Sequence, residues 1–511
     1  MRRLSQILLI FLAALLIIQS AYSLRWPITH DEAPLFYEAF LMQSEGRIPY
    51  RDIFDFQMPG SFIAYSALGL LSGFSEFRIR ILDLAILTVL LAVTFFAIRR
   101  FGKNSAFAAA ILFGLKYLQG GPSMSLQREY LLLIFIAFAV WIAMRDVLTY
   151  KHRLLIGFFF GLAAVIKPHA AIGLIPVLLF DITDISRRLK LTLLNAAATS
   201  ILPAAAGFLT PVLAAIIWLA LNNALTSFLN IALNYWPLYS QVNGLMEVNV
   251  GAEKISFMLG QVWRLGGHAL WLLPAAFGIY LNQNKKVYLL ASLALCYAIY
   301  PAFSGQFFPY HYIPFTYFII LLASLSISTF TIQLPTLRHG ERKANRQGNA
   351  FNSYASCFLL LTVALLSIRP STTFIRQLEG KPIATSTDRA EEIAGFLEQN
   401  LNAGDTVQSL DWTGGTLLAL LETRTHIATP YVFDFYFYHH VSTPYIKSLR
   451  ADFMSKLQTA SPRFIIEVTA IDKPWISGAD TSREFPELRE FLNENYSVTI
   501  QKDDYVIYER R

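Results

Sequence analysis

Apolar stretches of roughly 16 to 25 residues recur along this chain from Ile7 to Ile368, and a hydrocarbon core of about 30 Å takes about 20 such residues per helical crossing. In lipid only a helix satisfies its backbone within one segment. The chain is therefore read as a polytopic α-helical membrane protein. Composition agrees: 55% of its 511 residues are hydrophobic and 15% charged, against about 25% charged in soluble domains. The net charge of +7 is carried by short basic loops, which orient spans, so no nucleic-acid partner is expected.

Arg2 and Arg3 precede the first apolar run. That run lacks a small-x-small cleavage site and passes into Arg25-Trp26-Pro27, so it reads as a retained anchor with a cytoplasmic N-terminus. Residues 59–74 are short and carry Ser, Tyr and Gly. If they spanned, the next helix would leave Arg99-Arg100-Phe101-Gly102-Lys103 outside, against the positive-inside rule; they are laid flat in the interface instead. The basic segments 99–103, 145–153, 187–190, 285–286 and 338–346 then all fall inside, about eleven spans are expected, and 222–267 is a long outer loop. Kinks are expected at Pro203 and Pro211. Cys296 and Cys357 lie in apolar runs and read as core residues.

Residues 1–369 form the membrane domain on this reading and 370–511 an extracytoplasmic one. The tail shows a helical period at 389–399, strands at 406–410 and 464–468, a helix at 486–493, and a hairpin of 496–500 with 505–508. Such alternation gives a small α/β domain. Gly414-Gly415 lacks the spacing of a phosphate loop and reads as a turn.

Just outside the first span stands Thr29-His30-Asp31-Glu32-Ala33-Pro34. Thr29 and Glu32 have capping-box spacing, but that register puts Pro34 at the fifth helical position, where it costs a hydrogen bond. A cap at Asp31 puts it at the third. The local pattern leaves Asp31 and Glu32 balanced between a helix start and an active site. On the same expected face lie Arg47, Arg51, Asp52, Asp55 and Gln57; Arg128 and Glu129; Lys167 and His169 flanking Pro168; and Arg264, His268 and His311. Cations at an interface suit a lipid phosphate, and an outward carboxylate suits deprotonation of an acceptor. Asp31, Glu129 and His169 alternatively offer donors for a divalent cation.

Four segments carry a resemblance: Asp31-Glu32; Asp55-Phe56-Gln57-Met58-Pro59 with Phe74-Ser75-Glu76-Phe77-Arg78; Gly161-Leu162-Ala163-Ala164-Val165-Ile166-Lys167-Pro168; and Pro309-Tyr310-His311-Tyr312-Ile313-Pro314. Together they are similar to the GT-C superfamily of polyprenyl-phosphate-sugar-dependent glycosyltransferases, in the branch of protein O-mannosyltransferases, aminoarabinose transferases and lipopolysaccharide galacturonosyltransferase-like enzymes. The resemblance implies a GT-C-like fold with interfacial helices in the first outer loop, and transfer of a sugar from a polyprenyl-phosphate carrier to a lipid, glycan or protein acceptor on the outer face, with inversion. It makes Asp31 the catalytic residue, acting as a base, with Glu32 beside it. Asp55, Gln57, Arg128, Glu129, Lys167, His169 and His311 are the substrate-binding set, Glu129 matching its family position loosely. Where the family often has Glu-Lys-Pro, this chain has Gln57-Met58-Pro59, so Arg51 or Lys167 is expected to supply the phosphate contact. The implied location is a bacterial inner membrane. Two other classes stay open: a transporter or flippase of lipid-linked glycans, with midplane charges, and a non-catalytic glycolipid-binding homologue.

Overall fold

A computed structural model describes residues 2–327, 372–380 and 385–511. The expected basic loop at 338–346, the last expected span at 351–368 and Cys357 lie outside the described residues. Fourteen helices build the described part of the membrane domain: α1 (Arg2–Ser23), α2 (Glu32–Ser44), α3 (Pro59–Ser72), α4 (Glu76–Ile98), α5 (Lys103–Leu118), α6 (Arg128–Ala143), α7 (Tyr150–Ile166), α8 (Leu174–Leu189), α9 (Leu193–Leu221), α10 (Leu225–Tyr239), α11 (Gly251–Arg264), α12 (Leu272–Leu281), α13 (Lys285–Ser304) and α14 (Ile313–Ser324). Six stretches are long and apolar enough to cross a membrane, among the described residues. Several other expected spans fall on shorter helices: α5, α6 and α7 have 16, 16 and 17 residues and α12 has 10. Pro203 and Pro211 both fall inside α9, and Cys296 lies in α13 as a free thiol.

The long outer loop expected at 222–267 is instead mostly helical, containing α10 and α11. Its polar and aromatic composition hid two amphipathic periods. α11 buries none of its residues and exposes Ile255, Leu259 and Trp263, an i, i+4, i+8 stripe suited to a helix lying in the interface. α3 likewise buries Phe62, Tyr65 and Leu68 while exposing Ile63, Leu70 and Leu71, which suits the flat placement expected for 59–74.

Small residues set the closest approaches. A Cβ on Gly157 would sit 1.8 Å from the Ala204 carbonyl oxygen, and one on Gly207 would sit 1.9 Å from that of Leu154, so α7 and α9 pack backbone to backbone. A Cβ on Gly60 would lie 2.7 Å from the Val165 carbonyl. That contact seats the start of α3 on the end of α7 and brings Gln57 and Met58 toward Lys167.

The tail folds into a four-stranded sheet of order β2-β3-β6-β5, formed by β2 (Val407–Leu410), β3 (Phe464–Val468), β5 (Tyr496–Gln501) and β6 (Tyr505–Arg510). β2 and β3 are parallel and the other pairs antiparallel; both parallel strands are buried throughout. Helices Thr385–Asn400, Thr416–Glu422, Pro444–Ala460 and Pro486–Asn495 accompany the sheet. The Gly414-Gly415 turn is filled by the Asp411 carboxylate, which accepts from the amides of Trp412, Gly414 and Thr416.

This domain grips loops that connect the helices of the membrane domain. β1 (Glu247–Val248) pairs with β4 (Ser477–Gly478) of the tail. Phe54 N–H donates to the Pro430 carbonyl at 2.9 Å, Tyr37 Oη to that of Thr425 at 2.8 Å, and Arg47 to that of Ile427 at 2.9 Å.

Candidate active site

Asp31 stands at the N-cap of α2, so Pro34 takes the third helical position, but its carboxylate makes no capping bond. One oxygen lies 3.1 Å from Nδ1 of His30 and the other 3.3 Å from an Arg128 guanidinium nitrogen. Burial pushes the Asp31 carboxyl up, but His30, then Arg128 and Lys167, outweigh it and hold the group at about 2. It is ionised throughout the neutral range. Burial lowers His30, and the Asp31 carboxylate more than reverses this, leaving the imidazole above its ordinary value. His30 sits at φ 54, a left-handed turn that histidine tolerates better than most residues, and its side chain keeps 42% of its surface exposed.

Glu32 points elsewhere. Both its oxygens are held by Arg80 of α4 at 2.7 and 2.6 Å, and Arg80 also donates to Ser125 Oγ and to the carbonyls of Trp26 and Pro27. Ser125 and Tyr117 in turn donate to Asp83 at 2.7 Å. This fully satisfied buried network bolts the segment between α1 and α2 to α4, and a bidentate guanidinium pair is what makes burying Glu32 tolerable.

The cations are delivered by helix ends. α7 stops at Ile166 because Lys167 precedes Pro168 and takes an extended conformation, φ −154° and ψ 112°. Its ammonium then reaches Glu129, to which it is hydrogen-bonded, and lies 2.9 Å from Nε2 of His311. Glu129, on the first turn of α6, has its second oxygen buried without a partner. Arg128 bonds Gln57 as well as Asp31, and its guanidinium carbon lies 5.9 Å from the Tyr310 ring. His169 stacks on Phe303 at 6.0 Å.

These side chains open on a cavity of about 330 Å³ lined by Gln57, Arg128, Lys167, His169, Tyr310 and His311 together with apolar residues such as Trp236 and Phe303. Asp31 lies one ion pair behind Arg128. Of the expected substrate-binding set, Gln57, Arg128, Lys167, His169 and His311 share the cavity, Glu129 underlies it through Lys167, and Asp55 is buried beside it. Of the two cations expected to supply a phosphate contact, Lys167 lines this cavity and Arg51 does not: Arg51 is on the surface, paired with Asp52 at 2.7 Å. His268 lines a separate cavity of about 220 Å³. Trp236, Tyr239 and Tyr310 line the site although sequence patterns give them only an interfacial or motif role, and no local pattern singles out Glu38. Among the described residues, no three of His, Cys, Asp and Glu gather into a group that could hold a metal ion; Asp31 and Glu129 face cations instead.

The model of the dolichyl-phosphate-mannose-protein mannosyltransferase family matches residues 59–218, which contain the Pro59 helix, Arg128-Glu129 and Lys167-Pro168. The crystal structure of ArnT from Cupriavidus metallidurans bound to undecaprenyl phosphate superposes with a TM-score of 0.64 at 12% identity, over 98% of this chain and 97% of that one. The chain has the GT-C fold. The apo form of the same ArnT gives a TM-score of 0.61 at 12% identity over the same shares of both chains, so the GT-C architecture extends through the tail domain. An oligosaccharyltransferase from Archaeoglobus fulgidus aligns at 11% identity with a TM-score of 0.47, over 90% of this chain and 69% of that one. No curated protein matches the chain by sequence.

Proposed function

We propose that this GT-C protein is an integral-membrane glycosyltransferase that moves a hexose or pentose from a polyprenyl-phosphate carrier to an acceptor on the outer face of a bacterial inner membrane, its N-terminus cytoplasmic and its tail domain extracytoplasmic. The observation that carries the reading is the cavity in which Arg128 and Lys167 converge one ion pair from an ionised carboxylate, with an apolar flank for an isoprenoid chain. The ArnT relative was crystallised with undecaprenyl phosphate, which supports the same donor class here.

The roles follow from charge. A donor phosphate entering the cavity competes with Asp31 for Arg128 and with Glu129 for Lys167. As Arg128 turns to the phosphate, Asp31 loses a partner that depresses its proton affinity and becomes a better base. It then takes the proton of an acceptor hydroxyl or amine as that atom attacks the anomeric carbon. The bond to the carrier phosphate breaks on the opposite side, and Arg128 and Lys167 stabilise the negative charge left on the phosphate. His30, ion-paired with Asp31 at 3.1 Å and partly exposed, passes the proton to water. Glu32 supports the loop through Arg80. The test is label transfer from a polyprenyl-phosphate sugar in proteoliposomes containing the purified protein: label attached to acceptor supports the reading, and label that only changes leaflet, still on its carrier, makes the protein a flippase.

A further inference from the structure

Glu38 of α2 is fully buried, and no N–H or O–H donor reaches either of its oxygens. What it faces is another buried carboxyl, that of Asp55. Two carboxylates cannot bond each other without a proton. The oxygen of Asp55 that accepts the Phe56 amide at 2.5 Å also faces Tyr436 Oη of the tail domain at 3.4 Å, and that hydroxyl donates to the Phe54 carbonyl at 3.0 Å. Tyr50 Oη bonds the Gln57 carbonyl at 2.5 Å and Trp236 Nε1 the Phe56 carbonyl at 2.9 Å. Every residue from Phe54 to Gln57 is thereby held, and Gln57 is the residue that bonds Arg128.

We infer that Glu38 and Asp55 hold a proton between them, and that this carboxyl pair, clamped by Tyr436 of the tail domain, positions Gln57 and through it the phosphate-binding Arg128. These are positioning residues: none of the three lines the cavity. The inference rests on the proposed transferase reading for its catalytic consequence, but the shared proton does not. The charged and titratable groups facing the pair are Arg128, Tyr50, Tyr235, Tyr239 and Tyr436. Among the described residues Arg128 is the cation that acts on both carboxyls, and it opposes protonation. Burial, the largest effect, raises both carboxyls, Asp55 to about 6 and Glu38 well above the usual range. A folded protein that keeps a proton the unfolded chain releases is stabilised at low pH and loses that stability as pH rises through 6 and beyond.

The test compares wild type with Glu38→Gln, whose amide donates to Asp55 without a titrating proton, and with Tyr436→Phe. Melting temperatures of the full chain in detergent, from pH 5 to 8, should show wild type falling relative to Glu38→Gln by about 3 °C or more; a difference that is flat with pH overturns the shared proton. In transfer assays Glu38→Gln should shift the alkaline limb of the pH profile upward, and Tyr436→Phe should lower kcat about tenfold, the order of a single 1.4 kcal/mol contact, and, by removing a hydroxyl that favours the ionised Asp55, shift the same limb upward. A pH profile unmoved by both variants overturns the positioning role. If wild type transfers nothing at any pH, the transferase reading fails while the melting series still decides the pair.

Discussion

Lys167 carries two separable burdens, and removing it should expose both. Its ammonium is the partner of Glu129, whose side chain is fully buried with its other oxygen unpaired. Lys167→Met keeps the length of the stem and strands that carboxylate. Stripping one member from a buried ion pair costs about 3 to 5 kcal/mol, and Tyr300 Oη and His311 Nε2, both 3.5 Å from the same Glu129 oxygen, are too distant to compensate fully. The variant should melt several degrees lower in detergent. It also removes one of two cations from the departing phosphate, worth about 2.7 to 4 kcal/mol, or roughly a hundred- to a thousandfold in kcat. Pairing it with Glu129→Gln separates the two: the double variant lacks the stranded charge and should regain most of the melting temperature, yet stay a hundredfold or more below wild type in transfer from a polyprenyl-phosphate sugar. A double variant that recovers near wild-type transfer would refute the phosphate role and reduce Lys167 to a counter-ion.

Two further outcomes test the scaffold around the site. Gly157→Val should force α7 away from α9, because its Cβ would overlap the Ala204 carbonyl, costing about 1 to 3 kcal/mol and lowering transfer through displacement of Lys167; tryptic resistance and melting temperature check it. His439 bonds Tyr235 of α10 at 2.9 Å and His440 at 2.7 Å, and burial, then His440, lowers it to about 3. A depressed histidine contributes stability above its unfolded value of about 6.5 that drains as pH falls toward 3, about 2 kcal/mol by pH 5. Hydrogen exchange over residues 433–441 should accelerate from pH 6.5 to 5 beyond the intrinsic rate, and should not in His439→Phe.

Local chemistry made some of this site readable from sequence. Asp31 follows the first apolar run and Pro34 favours a helix start at it, although that pattern alone leaves it balanced with Glu32; Lys167 precedes Pro168, a position that leaves the helix. The strands and closing hairpin of the tail follow from short buried runs, and β2, β3, β5 and β6 fall on them. Other parts depend on contacts that no local window contains. The partner of Glu32 is Arg80, 48 residues on, and that of Asp55 is Tyr436, 381 residues on. Glu38 sits in Leu35-Phe36-Tyr37-Glu38-Ala39-Phe40, where a lone acid reads as the wet side of a helix; in the fold α3 and the tail helix Thr416–Glu422 both pack on α2, and Glu38 is buried. The helices of 222–267 are hard to read from sequence because exposed apolar residues such as Ile255, Leu259 and Trp263 alternate with polar ones, and the mixture resembles a loop.

The central claim is that Asp31 performs the proton transfer while the cations hold the donor. It is tested most directly by Asp31→Asn in a single-turnover assay, with polyprenyl-phosphate donor binding measured on the same protein. The account predicts donor affinity within a few-fold of wild type and sugar transfer lowered at least a hundredfold, as for loss of a general base. Transfer at a near wild-type rate by that variant would contradict it.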